Sequence, residues 1–229
     1  MKKLSNVMKK AMLLLLVIAI CVPCMELNEA QAAKMSNKRA ERMYNKALAG
    51  WFTHPKKVKI TDDLRARSGW SYNDTGKRVY IHKSYCSDMS MWIRRDLNAD
   101  GIPEYITYTP YGQMVILTIY RNRVKVLGVL QTSSWIGPSV YYNKKTNTFT
   151  ITTTITARTV SRNVYKIRKG KMYRVATLSD YVGMVMNIKG YQPIYRYLNG
   201  KKVSKKKYYK YYNKYCKNTR HINWTASQG

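Results

Sequence analysis

Between residues 91 and 198 the chain repeats one unit, a short run rich in Val, Ile, Thr and Tyr followed by a polar turn. The runs cover residues 114–120, 124–130, 139–142, 148–156, 160–167, 172–176 and 191–198, and the turns between them include Arg121-Asn122-Arg123, residues 143–147, residues 168–171 and Asn199-Gly200. Turns this short can only reverse the chain, because a parallel crossover needs a dozen residues or more. The spacing therefore predicts antiparallel strands in meander order. Counted with the segments around them, they make one sheet of about seven to nine strands, strongly curved or partly closed. The run of residues 150–155, where Thr and Ile alternate imperfectly, fits either an edge strand or a two-faced ligand surface.

Helical spacing occurs on either side of this region. Ala40, Met43, Tyr44, Ala47, Leu48 and Trp51 share one face of a helix that Ser36 can cap and Gly50 can stop. Near the other end, Tyr208, Tyr211, Tyr212 and Tyr215 fall on one face of a helix over about residues 204–218. That stripe fits a face packed on the sheet, with lysines solvated around it, better than a stacking platform. The predicted class is α+β: an N-terminal helix, a curved antiparallel sheet, and a C-terminal helix packed on it. Residues 34–218 make this single domain, and residues 219–229 read as a flexible tail.

Residues 1–33 read as a signal peptide. Lys2, Lys3, Lys9 and Lys10 precede an apolar stretch over residues 11–21, too short for a comfortable membrane span, and small residues offer a cleavage site near Ala32/Ala33. The expected location is thus secreted or associated with the cell envelope. The formal charge of +31 becomes +29 when the leader's four lysines and two glutamates are removed. Such a charge drives association with polyanions. The expected partners are anionic polymers (teichoic acid, sulfated glycan or nucleic acid), with an anionic membrane surface as a further candidate. The bases singled out for that contact are Lys205, Lys206, Lys207, Lys210 and Lys214 on the last helix, with Lys144, Lys145, Lys169 and Lys171 in the strand turns.

Carboxylates are scarce here: eleven in the whole chain, of which Asp96, Asp100 and Glu104 lie within nine residues. In Asp96-Leu97-Asn98-Ala99-Asp100-Gly101-Ile102-Pro103-Glu104, oxygen side chains stand at positions one, three, five and nine and a glycine at six. That is the spacing with which a tight turn wraps a hard cation such as calcium, the Ile102 carbonyl supplying position seven. The EF-hand's closing glutamate is missing, since position twelve is Thr107 in a strand-like run, so the expectation is a metal hairpin with Ca2+ on Asp96, Asn98, Asp100, Ile102 and Glu104. An Asp-Gly turn whose acids accept only backbone hydrogen bonds is the alternative.

These residues resemble the hairpins of FG-GAP and integrin-type calcium loops. The stretch over residues 93–106 is similar to the core of poorly characterised exported proteins of Gram-positive bacteria, which reads apolar strand, DxNxDGxPEL, apolar strand; Tyr105 stands where that group has leucine. Residues 199–206 resemble the segment opening the group's last helix. The resemblance implies export and a calcium loop, and no catalytic activity.

No nucleophile elbow, phosphate loop, HExxH or zinc spacing occurs, and His54, His82 and His221 are isolated in sequence. Asp62 and Asp63 read as opening a turn or helix. With Cys21 and Cys24 in the leader, Cys86 and Cys216 are left to pair as a disulfide or to remain buried thiols; a bond would stabilise by about 3 to 5 kcal/mol in the chain-entropy model. The leading expectation is a non-catalytic, basic, secreted binding protein. A secreted hydrolase with an unrecognised site and a small toxin or inhibitor acting on another protein are the alternatives.

Overall fold

The computed structural model describes residues 35–65, 73–81, 91–108, 112–132, 138–156, 159–187 and 190–226. The leader over residues 1–33, Cys86, His82 and residues 227–229 lie outside these. Helix α1 (Asn37–Thr53) starts where Ser36 accepts a hydrogen bond from the Arg39 amide, and it continues past Gly50 to end at His54. Its buried face, Ala40, Tyr44 and Leu48, is the stripe read from the sequence.

The strands form two large open sheets, not one curved sheet. In the first, β4 (Met91–Arg95), β5 (Glu104–Tyr108), β6 (Gln113–Tyr120) and β7 (Arg123–Gln131) run as an antiparallel meander. The two-residue β2 (Asp62–Asp63) pairs with β7 in parallel. The second is a longer meander of β8 (Ser139–Asn143), β9 (Thr148–Thr156), β10 (Thr159–Arg168), β11 (Lys171–Asn187), β12 (Gly190–Leu198) and β13 (Lys201–Lys202). A separate hairpin-like pair joins β1 (Lys56–Lys59) to β3 (Arg78–Ile81).

The physical reason for two layers is visible in β6, whose six central residues, Met114 to Ile119, are all buried. A strand apolar on both faces must be covered on both. On one face, Ile106, Met114, Ile116 and Leu130 pack against Val140, Phe149, Ile151, Tyr165 and Ile167 of the second sheet. On the other, Val115, Leu117, Ile119 and Val129 pack against α1. Helix α2 (Lys205–Tyr215) covers the outer face of the second sheet, where Tyr208 and Tyr215 meet Val164, Ala176, Leu178 and Leu198. The order of layers is helix, sheet, sheet, helix.

The C-terminal segment also departs from expectation. Instead of fraying, β14 (Arg220–Ile222) adds to β8 on the second sheet and β15 (Thr225–Ala226) adds to β4 on the first. Between them the Trp224 indole donates to the Pro138 carbonyl at 2.8 Å and packs on Tyr108. Unpaired strand edges draw a short segment in register, which a composition-based reading cannot foresee.

Candidate functional site

The Asp96–Glu104 loop connects β4 to β5, with Arg95 opposite Glu104 in the ladder. Its bend is built from carboxylates accepting backbone N–H groups. Asp96 Oδ1 accepts from Ala99 N at 2.8 Å and Oδ2 from Gly101 N at 3.0 Å; Asn98 Oδ1 accepts from Asp100 N at 2.9 Å, and Asp100 Oδ1 from Ile102 N at 2.8 Å. Ala99 and Gly101 take positive φ of 60° and 82° to complete it. Two apolar residues anchor the loop in different layers, Leu97 between the sheets and Ile102 under α1. The Tyr44 hydroxyl on α1 donates to the Pro103 carbonyl at 2.8 Å.

Glu104 is fully buried. Its Oε2 accepts from Leu97 N at 2.8 Å and its Oε1 from Thr118 Oγ1 at 3.0 Å. Burial, above all, pushes its carboxyl up to about 8, against the pull of the Leu97 amide, with Asp100 nearby adding to the rise. Asp100 Oδ2 and Glu104 Oε1 converge on the Asn98 amide nitrogen at 2.9 and 3.1 Å. Two carboxylate oxygens held at one point is chemistry a hard cation shares with an amide donor. Asp96 is instead spent on the turn's own backbone, and among the described residues no three acidic, histidine or cysteine side chains gather as a metal-holding group. The loop thus fits a cation in part, through Asn98, Asp100 and Glu104.

The nine lysines expected to contact anions are all exposed. Asn143, beside Lys144 and Lys145, donates its side-chain amide to the Lys214 and Tyr215 carbonyls at 3.4 and 3.1 Å, so that turn adjoins the end of α2. Lys169 and Lys171 lie elsewhere on the same end of the sheet, where the turn packs on Tyr120 of the first sheet. Ser204 caps α2, accepting from Lys207 N at 3.3 Å.

Compared with known proteins, the chain matches no family model, no curated protein and no solved structure. The resemblance drawn above therefore rests on the residues of the hairpin and of residues 199–206 alone.

A charged cluster that the sequence reading did not foresee lies where the two sheets meet. Asp62 and Asp63 are buried on β2, not at a turn. Asp62 Oδ2 accepts from Arg174 at 2.6 Å and from the Tyr165 hydroxyl at 3.1 Å, both on the second sheet. The Arg65 guanidinium bridges Asp63 at 2.7 Å and Asp74 at 2.6 Å. Burial alone would raise the Asp63 carboxyl, but its hydrogen bonds to Arg65 and to the Asp74 amide outweigh that and hold it below the usual carboxylate range. Asp74 is also held low, by Lys77 first and then Arg65. Asp63, Asn73, Thr75, Arg174, Thr177 and Asn199 border a cavity of 570 Å³. The one acid bordering it among the described residues, Asp63, is held ionised by Arg65, so it does not supply the raised general acid of glycoside hydrolysis. The only signal for this cluster was three of the scarce acids within thirteen residues.

Beneath α2 a second, half-buried network joins Asp180 Oδ2 to Arg162 and to the Tyr208 hydroxyl, each at 2.6 Å. Cys216 carries a free thiol beside it, which burial pushes up to about 11, so it stays protonated at neutral pH. The partner proposed for it, Cys86, lies outside the described residues.

Proposed function

We propose that this is a secreted or envelope-associated binding protein for polyanions, with a loop that takes a structural calcium ion. One observation carries the polyanion reading: each described acid is engaged by an arginine or by its own turn, while most of the lysines stand exposed. Glu41 pairs with Arg94, Asp62 with Arg174, Asp63 and Asp74 with Arg65, Asp180 with Arg162, and the three loop acids with their own turn. With its described carboxylates engaged in this way, a chain of formal charge +31 meets its surroundings as a cation.

Binding to immobilised polyanion should then fall steeply as salt rises, since each neutralised anionic group releases counterions. Retention that is indifferent to salt would sink the reading.

Calcium is supported by the convergence of Asp100 and Glu104 on Asn98. Turning the Asn98 amide about its last bond presents Oδ1 to the same point, at the cost of the hydrogen bond from Asp100 N. An ion bound only by the folded chain stabilises by about 2.7 kcal/mol at a hundredfold excess over its dissociation constant. Thermal melts with calcium and with chelator should differ accordingly, and coincident curves would leave only the hydrogen-bonded turn.

A further inference from the structure

Three two-residue hairpin loops, Arg121-Asn122, Lys169-Gly170 and Asn199-Gly200, have positive φ at both positions: 52° and 57°, 50° and 62°, 51° and 79°. This is the turn that matches strand twist and that Asn-Gly fills with least strain. The third loop has those residues. The other two put an arginine and a lysine at the strained first position, where asparagine is cheaper.

Those two loops are also the ones that touch. A Cβ placed on Gly170 would lie 2.6 Å from the Tyr120 ring, so only glycine lets the tip of the second sheet seat on the first. Around Tyr120 the Arg121 guanidinium stands 5.3 Å and the Lys125 ammonium 4.8 Å from the ring centre. Directly across the β10–β11 ladder Arg168 faces Lys171, a like-charge pair that destabilises a sheet. Neither tip, residues 120–125 or residues 166–173, contains an acid to relieve it. Two independent departures from local stability, both keeping cations at adjoining tips, are what a functional anion contact leaves in a structure.

The geometry points to these paired tips, Arg121, Arg123, Lys125, Arg168, Lys169 and Lys171, as the contact for a linear phosphodiester polymer, ahead of the lysines of α2. This deepens the polyanion reading and rests on it. Arg123 and Lys125, at the start of β7, stand two residues apart on one face, about 6.8 Å along extended backbone, and Arg121 and Lys169 sit at the turns beside them. That interval matches the phosphate repeat of an extended phosphodiester chain, and arginine's fork suits phosphate oxygens.

The test uses the full chain and two variants of equal charge, R121Q/R123Q/K169Q/K171Q at the tips and K205Q/K206Q/K207Q/K210Q on α2. Each is titrated against polyglycerol phosphate, single-stranded DNA, heparin and anionic vesicles over a range of salt. The tip variant should lose tenfold or more in affinity for phosphodiester chains and have its salt slope shallower by about 3, one contact per base removed. The α2 variant should stay within a factor of about three. Which of the two phosphodiesters binds tighter identifies the source. The single changes R121N and K169N should raise the melting temperature while weakening binding, a pairing that a merely structural role would not produce. Equal loss from both variants, or tighter binding to heparin or vesicles at matched charge density, overturns the assignment. No salt-sensitive binding by the unaltered chain overturns the polyanion reading itself.

Discussion

At the scale of single residues, Tyr44 ties the metal-type loop to the rest of the fold. Its ring is buried under β6 and β7, and its hydroxyl is the donor to the Pro103 carbonyl. Tyr44→Phe keeps the packing and leaves that carbonyl short of a partner, so stability should fall by about 1 to 2 kcal/mol in denaturant melts. The spacing of Asp96, Asn98 and Asp100 revealed the turn because each side chain reaches an amide two to five residues ahead, an interaction local in sequence. The strand setting of Asp62 and Asp63 escapes a local reading because it is made at a distance: Arg174 and Tyr165 reach Asp62 from the other sheet, and β2 pairs with β7, although Asp63 keeps a local partner in Arg65. The folded-state pKa of Asp63 and Asp74 is depressed, so their contribution is in place above the unfolded carboxylate pKa and is lost as pH falls through the folded one. Stability measured against pH should therefore decline on the acid side, and Asp63→Asn should flatten that limb.

Elements whose signal is a short-range period were found close to where they lie. α1, α2 and most strands of the second sheet differ from the reading by a few residues at their ends; β11 is the exception, running from Lys171 to Asn187 where a strand over residues 172–176 was read. What the period could not reveal was the partner of each face. The apolar run over residues 114–117, resumed at Ile119, already required cover on both sides, and taking it as one layer of a curved sheet missed the sandwich. The last two strands are each too short to have a period at all. Trp224 holds them, so Trp224→Ala should cost about 2 to 4 kcal/mol, below the value for a fully buried tryptophan, and should show as earlier melting. Deleting residues 219–229 removes β14 and β15 together, and the uncovered edges of β4 and β8 should make the chain self-associate at concentrations where the full chain stays monodisperse in light scattering.

For the molecule as a whole, the charge imbalance acts against folding and in favour of binding, and salt separates the two. Screening the repulsion among exposed bases should raise the melting temperature as salt is added, over the same range in which affinity for a polyanion falls. The pairing of the C-terminal segment with both sheets has a separate result, one of timing. β4 forms its outer ladder with residues near 226, and β8 with residues near 221, so each sheet draws its outer edge from a segment about 80 or more residues further along the chain. A chain extended only to residue 218 lacks an outer strand of each sheet, and contacts so distant in sequence close slowly. Both edges therefore close late in folding, and until they do the outer backbone groups of β4 and β8 remain open to pairing with another chain.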